Sequence, residues 1–370
     1  MEHKMFLYDP NIHGLQIKSI GSKQVTDTAI ASLRIALKSY FETYGVVRFI
    51  VNLGEIGDPK YNEDRVTESM EYQAKYIQTI FHFHHFIEIM TKDALRDIDP
   101  IYAIKINFDN LETLKKIQDR SEIEDSSHSI EYEAAIKRIM SLHTAEEVPV
   151  LTKIFYKKNV KKYCLDTLNQ LRNRAWHRGK YILKYSELDQ FMTRNLLPLV
   201  VDIVQSTNYD ESGYWKYNKP ATLQIDPIEE LLKVGRGHAL DYKRIGFLKA
   251  VGLACYNHKR SYGIERYTKR SLSEIKTEAL VSQRMNNSYE SRKCFVCNKN
   301  SLILFQDEDS KYDVDTKTYS RWQWNWKAEC QECGLLLYDD VLNPKEYGIK
   351  DYDDIWISKI VNYENTELDL

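Results

Sequence analysis

Glycine and proline are scarce in this chain, 14 and 8 among 370 residues. An all-β architecture needs many tight turns, so the shortage disfavours one and favours long helices. No apolar run approaches the roughly 20 residues that cross a bilayer. The opening MEHKMFLYDPNIHG carries an acid, a proline and a glycine where a secretory leader would have its apolar core. Neither sign of charge dominates: 52 basic residues against 54 acidic ones leave a net charge of -2, so any contact with nucleic acid must come from local patches. With 43% hydrophobic residues, 29% charged residues and a mean hydropathy of -0.53, the composition excludes a disordered chain and an integral membrane protein. The expected compartment is a reducing cytoplasm. At about 100–200 residues per domain, the length predicts two or three compact units.

Apolar residues recur at helical spacing over most of the chain. Ile30, Leu33, Leu37, Phe41 and Tyr44 predict a helix from Thr26 to about Phe49. Ile77, Ile80, Phe81, His84, Ile87 and Leu95 predict a long one over 68–96, closed by Pro100. Weaker patterns lie at 108–120 and 130–146. The next helix is expected over 150–177, ended by Gly179, and another over 186–206 with Pro198 as a kink. Residues 207–222 have the composition of a linker. Residues 226–283 again look helical and rich in Lys and Arg, and 288–340 turn to short alternating runs that suggest strands. These patterns divide the chain into an N-terminal segment of unknown role (1–65), a helical domain (66–206), a linker with a basic helical connector (207–285), a small β unit (286–345) and an acidic tail (346–370). The fold class is mainly α with a small C-terminal β ribbon.

Four of the six cysteines form two C-x2-C pairs, Cys294/Cys297 and Cys330/Cys333. A tetrahedral zinc ion takes four thiolates at about 2.3 Å, and each tight knuckle presents two of them. The pattern resembles a zinc ribbon whose long gap holds a β-hairpin. Four protein ligands close the coordination, so this zinc would be structural and would not activate water. Gly334 suits the turn after the second knuckle. Cys164 and Cys255 lie in apolar helical stretches and are expected to be buried small hydrophobes.

Arg172-Asn173-Arg174-Ala175-Trp176-His177 ends the 150–177 stretch. An Arg–polar–x3–His run near a helix end in an all-helical domain resembles the HEPN superfamily, over about residues 68–206. That resemblance implies a helical bundle and a dimeric, metal-independent endoribonuclease, in some members a toxin or anti-phage effector. On the family pattern Arg172, Asn173 and His177 fill the motif positions. A subset of the family carries a tyrosine two residues after the histidine; Gly179 stands there in this chain, so that regulation is not expected. A second Arg-x4-His run, Arg138 to His143, has Ile after its arginine and is expected to be structural.

The implied chemistry is attack of an RNA 2′-OH on the adjacent phosphate. An imidazole that titrates near neutrality can take or give the proton, and a guanidinium offers a planar fork to the phosphate oxygens. Residues five apart are about 140° apart around a straight helix. Arg172 and His177 can therefore converge only if the helix loosens or a partner chain supplies a second motif. From Lys153 to Lys184 there are ten cations and a single acid, Asp166. Lys157, Lys158, Lys161, Lys162, Arg174, Arg178 and Lys180 are the candidate RNA-binding residues. A second basic zone, 233–270, is interleaved with Tyr242, Tyr256, Tyr262 and Tyr267, which could stack on unpaired bases. Two other readings compete with the ribonuclease. One is a non-catalytic binding protein that uses the zinc ribbon; the other is a metal-dependent enzyme at His82, His84 and His85. The acidic tail, opposite in charge to the basic stretch, is expected to compete with RNA.

Overall fold

The computed structural model describes residues 27–56, 58, 63–105, 115, 118, 129–145, 148–156, 159–178, 181–207, 215–217, 219–257, 272–283, 289–313, 318–350, 352, 354–356 and 359–362. The chain is mainly helical, with one small antiparallel sheet near its C-terminus. The principal helices are α1 (Asp27–Arg48), α2 (Met70–Ile98), α3 (Tyr132–Ser141), α4 (Val150–Tyr156), α5 (Asn159–Arg178), α6 (Tyr185–Phe191), α7 (Leu197–Ser206), α8 (Pro227–Gly235), α9 (Tyr242–Asn257) and α10 (Leu272–Gln283). None of the described helices is long and apolar enough to cross a membrane.

The chain folds into two compact units that are not consecutive stretches. One gathers 1–34, 82–162 and 203–215; the other gathers 35–81, 163–202 and 216–370. The segments drawn from composition cut across this division, because composition reports local chemistry and not which helices share a core. The expected 150–177 helix is two, α4 and α5. The expected helix at 108–120 lies almost wholly outside the described residues.

In the first unit α3 and α4 bury Ala135, Ile136, Ile139, Leu151, Ile154 and Phe155. The Thr152 hydroxyl donates to the Ile139 carbonyl at 2.7 Å. Arg138 donates to the carbonyls of Tyr102 and Ile104, both at 2.8 Å, and His143 stacks on Tyr156. Both ends of the second Arg-x4-His run thus have structural partners.

In the second unit α9 packs against α1 through two glycines. A Cβ on Gly252 would stand 2.6 Å from the Phe41 ring, and one on Gly246 would stand 3.0 Å from the Tyr44 ring and 2.5 Å from Leu53, which follows α1. Only glycine permits that approach. α8 begins at Asp226, whose carboxylate accepts from the Ile228 and Glu229 amides, with Pro227 in the first turn. Asp226 also takes hydrogen bonds from Lys216 and Tyr217, both at 2.7 Å, and Tyr217 is buried, so this end of the expected linker is part of the core. Between α6 and α7 the helix widens into a π turn, Met192–Leu196, where the Leu197 amide donates to Met192. Pro198 follows at once. A proline ring crowds the carbonyl four residues back, and the wider turn relieves it without ending the helix.

A buried ion pair lies at the heart of this unit. Lys249 Nζ stands 2.5 Å from Asp189 Oδ1, with both side chains fully buried. Lys249 Nζ also donates to the Thr43 hydroxyl and the Tyr40 hydroxyl donates to Asp189 Oδ1, at 2.9 Å each, while Asp189 Oδ2 is buried without a hydrogen-bond partner among the described residues. The Tyr185 and Tyr40 rings face the ammonium at 4.0 and 4.4 Å. Burial pulls Lys249 down to about 8 and pushes Asp189 up. An ammonium whose folded pKa lies below its unfolded value lowers stability while both states carry the proton, and the penalty fades as pH rises from about 8 towards 10.5. Stability of the wild type relative to Lys249→Met is therefore expected to rise across that window. Lys249→Met alone should cost about 3–5 kcal/mol, by stranding the carboxylate, and adding Asp189→Leu should recover most of it. Urea unfolding checks both; a single variant as stable as the wild type would contradict them.

The sheet has the order β1-β2-β3-β4: β1 (Tyr289–Arg292), β2 (Leu302–Asp313), β3 (Thr318–Cys330) and β4 (Leu336–Tyr338). A fifth strand, β5 (Lys359–Asn362), pairs with β3 at Ser320–Gln323, on the stretch ahead of β4. β2 and β3 form a long hairpin with a register shift between Phe305 and Gln306. Tyr347, Ile349 and Ile355 are buried, and β5 belongs to the sheet. Described residues of the expected acidic tail, Tyr347, Ile349, Ile355 and Lys359–Asn362, are therefore part of the fold.

Candidate functional site

α5 carries the Arg–Asn–x3–His run. Its apolar face buries Cys164, Leu168, Leu171 and Ala175, which recur every three or four residues. Asn169, Asn173 and Trp176 turn away from that face and Arg172 lies on its flank, with Arg172 and Asn173 half-buried. Arg172 Nη1 donates to Asn173 Oδ1 at 2.9 Å, and Asn173 Nδ2 donates to Asn169 Oδ1 at 3.4 Å. The guanidinium lies 5.7 Å from the Trp176 ring centre and 5.9 Å from that of Phe81. A second cation–aromatic pair follows, with Arg174 at 4.8 Å from the Tyr181 ring. The helix is unbroken through Arg178, so position 177 stays about 140° around the axis from position 172. Lys157, Lys158 and Lys180 lie outside the described residues, as do the side chains of Lys161, Lys162, His177 and Arg178.

The second basic zone is different from its composition. Lys233 and Arg244 both pair with Glu230, at 2.6 and 2.7 Å, and Lys249 is the buried partner of Asp189. Tyr256 packs edge-on to Tyr217 at 5.4 Å, and Tyr242 is half-buried. Tyr262 and Tyr267 lie outside the described residues. Lys233, Arg244, Lys249 and Tyr256 are thus engaged within the fold.

The three neighbouring histidines of α2 do not converge. His84 stacks on Tyr132 at 4.0 Å, His85 Nδ1 lies 2.7 Å from the Ser32 hydroxyl, and burial lowers the pKa of His82. Among the described residues the only group of three or more side chains able to hold a metal ion is the set of four cysteines. Among the described residues, the histidines have no ligand set for a metal-dependent site.

Cys294, Cys297, Cys330 and Cys333 are buried, and their sulfurs lie within 4.8 Å of one another. The closest approaches are 3.5 Å for Cys297–Cys330 and 3.7 Å for Cys294–Cys333. Four sulfurs about 2.3 Å from one ion stand about 3.8 Å apart, so the set is compatible with structural zinc binding. The two knuckles share one backbone design. In the first, the Asn298 amide donates to Cys294 and the Cys294 amide to Lys299; in the second, Gly334 donates to Cys330 and Cys330 to Leu335. Asn298 and Gly334 both adopt positive φ, 62° and 67°. Gly334 was visible as a turn residue, whereas asparagine, which tolerates the left-handed region less often, hid its equivalence. Ser301 also escaped sequence reasoning; its buried hydroxyl lies 3.1 Å from Cys330 Sγ. Phe295 and Val296, between the first two cysteines, are buried, and Phe295 stacks near Phe247 of α9.

Family models, curated proteins and solved structures give no match to this chain.

Proposed function

We propose that this chain is a metal-independent endoribonuclease that cuts single-stranded or loop RNA, a tRNA loop included, as a homodimer, with a structural zinc in the four-cysteine ribbon. The observation that carries the reading is the hydrogen-bonded Arg172–Asn173 pair on an unbroken helix that continues through position 177. One chain cannot bring positions about 140° apart on a helix to the same phosphate, so two copies facing each other form the site. One His177 accepts the proton of the 2′-OH as its oxygen bonds to phosphorus. The other gives a proton to the 5′ oxygen as the P–O5′ bond breaks. Arg172 neutralises charge on the non-bridging oxygens, and Asn173 holds the guanidinium in place. The products are a 2′,3′-cyclic phosphate and a 5′-hydroxyl. Growth arrest or phage defence is the setting that the HEPN resemblance implies. An RNA with one 2′-deoxynucleotide at the cut position tests the reaction: cleavage there should vanish while neighbouring sites are still cut. Undiminished cleavage at the deoxy position rejects 2′-OH attack.

A second reading has its own observation. Phe49, 77% exposed, begins a row of rings that runs through Tyr338 and Trp326 to Phe305, at spacings of 5.7, 6.2 and 6.3 Å. Tyr338 is buried within the row, and the exposed rings at its sides, Phe49 and Trp326, favour partner binding, which fits a protein that acts through its ribbon. Loss of a partner on Phe49→Ala, with RNA left uncut by the wild type, would favour that reading.

A further inference from the structure

We infer that the Trp176 indole is a stacking platform for one unpaired nucleobase of the strand whose phosphate lies at Arg172. The base-binding step stands by itself; placing that base beside the scissile linkage rests on the ribonuclease reading. Trp176 is 64% exposed, although it sits on a helix whose other face is well packed. Its ring is held at one side, 5.2 Å from Phe81 and tilted by 47°. Arg172 lies near both rings, 5.7 and 5.9 Å away, and its own hydrogen bond to Asn173 fixes that end of the guanidinium. A large apolar ring left open beside an anchored cation adds little to the fold. It presents a π face and a positive charge together, the pair that a nucleotide matches with a base and a phosphate.

Charge selects the occupant. Around Trp176 within its own unit, residues 163–180 carry four cations (Arg172, Arg174, Arg178 and Lys180) and one acid, Asp166, which favours a polyanion over a neutral or basic protein surface. A base in a duplex already has both faces stacked, so the platform takes an unpaired one. The helix arithmetic places position 177 between two such arrangements. It is about 140° from Arg172, which lies beside Trp176, and about 60° from Arg174, which covers the 41% exposed Tyr181.

The test uses the full chain and a fluorescein-labelled ten-nucleotide oligothymidylate, which has no 2′-OH and cannot be cut by the proposed chemistry. A matching oligomer of abasic residues and a duplex serve as comparisons. The wild type should bind oligothymidylate roughly tenfold more tightly than the abasic oligomer, within the range that base–aromatic stacking provides. Trp176→Ala and Trp176→Leu should remove that difference and leave abasic binding unchanged, and Trp176→Phe should keep most of it. Equal binding of the two oligomers by the wild type, or an undiminished preference in Trp176→Ala, overturns the inference. So does a Trp176→Ala protein that changes oligomeric state on gel filtration while keeping the preference, since the ring would then be a contact between copies. An intact preference in a protein that cuts no RNA would reject the ribonuclease and leave the platform standing. Cleavage by the wild type without any base preference would do the reverse.

Discussion

His177→Ala is expected to lower RNA cleavage by about four orders of magnitude or more, because in a two-fold site one substitution removes both the proton acceptor and the proton donor, each worth about 10²–10⁴. Arg172→Ala should cost about 10²–10³, the effect of deleting one preorganised group aimed at growing charge. Arg172→Lys should fall between, since an ammonium supplies charge without the planar fork that Arg172 extends past Asn173. Asn173→Ala frees the guanidinium to swing and should lower cleavage less than Arg172→Ala, with the loss in turnover more than in affinity. Initial rates on a single-stranded RNA, with unfolding midpoints as the control, measure all four. His177→Ala or Arg172→Ala that keeps full activity rejects the assignment.

Loss of one cysteine of the ribbon should have the largest effect on the fold. Structural zinc binding in small peptides is worth about 10–16 kcal/mol at neutral pH, as much as the whole stability of many domains, about 5–15 kcal/mol. The coupling of a bound zinc would reach beyond the four cysteines. Phe295 lies inside the first knuckle and packs near Phe247, which in turn stacks on Tyr347 at 4.0 Å. Opening the knuckle withdraws an aromatic side chain from the core against α9. Cys330→Ser is expected to drop bound zinc from about one ion per chain to almost none and to bring early, less cooperative unfolding. Ser301→Ala, which removes only the hydroxyl near Cys330, should keep the zinc and weaken it modestly, as outer-shell partners do by about 10–100-fold. Metal analysis and calorimetry distinguish the two. A zinc-free wild type with an unchanged melting curve contradicts the structural role.

The parts of the fold that sequence made legible are those set by local periodicity. α1 and α2 begin and end within two residues of the expected limits, because their apolar stripes run without interruption. The two knuckles and the hairpin between them follow from cysteine spacing alone. What stayed hidden depends on partners far along the chain. Lys249 counted as one more surface cation, although Asp189, 60 positions away, holds it in the interior. Tyr217 fell in a stretch with the composition of a linker, yet its hydroxyl donates to Asp226 and it is buried. The tail drew notice for its many acids, whereas its Tyr347 and Ile355 are buried in the fold. At the motif, the sequence marked Arg172 and Asn173 but not the hydrogen bond between them, and nothing local announced Phe81, which comes from α2.

One measurement tests the central claim most directly: the chemical ends left on a defined single-stranded RNA after incubation with the wild-type protein in excess EDTA, with zinc content verified afterwards. The account requires cleavage under these conditions, with 2′,3′-cyclic phosphate on one fragment and 5′-hydroxyl on the other. Uncut RNA, or 3′-hydroxyl and 5′-phosphate ends, would contradict it.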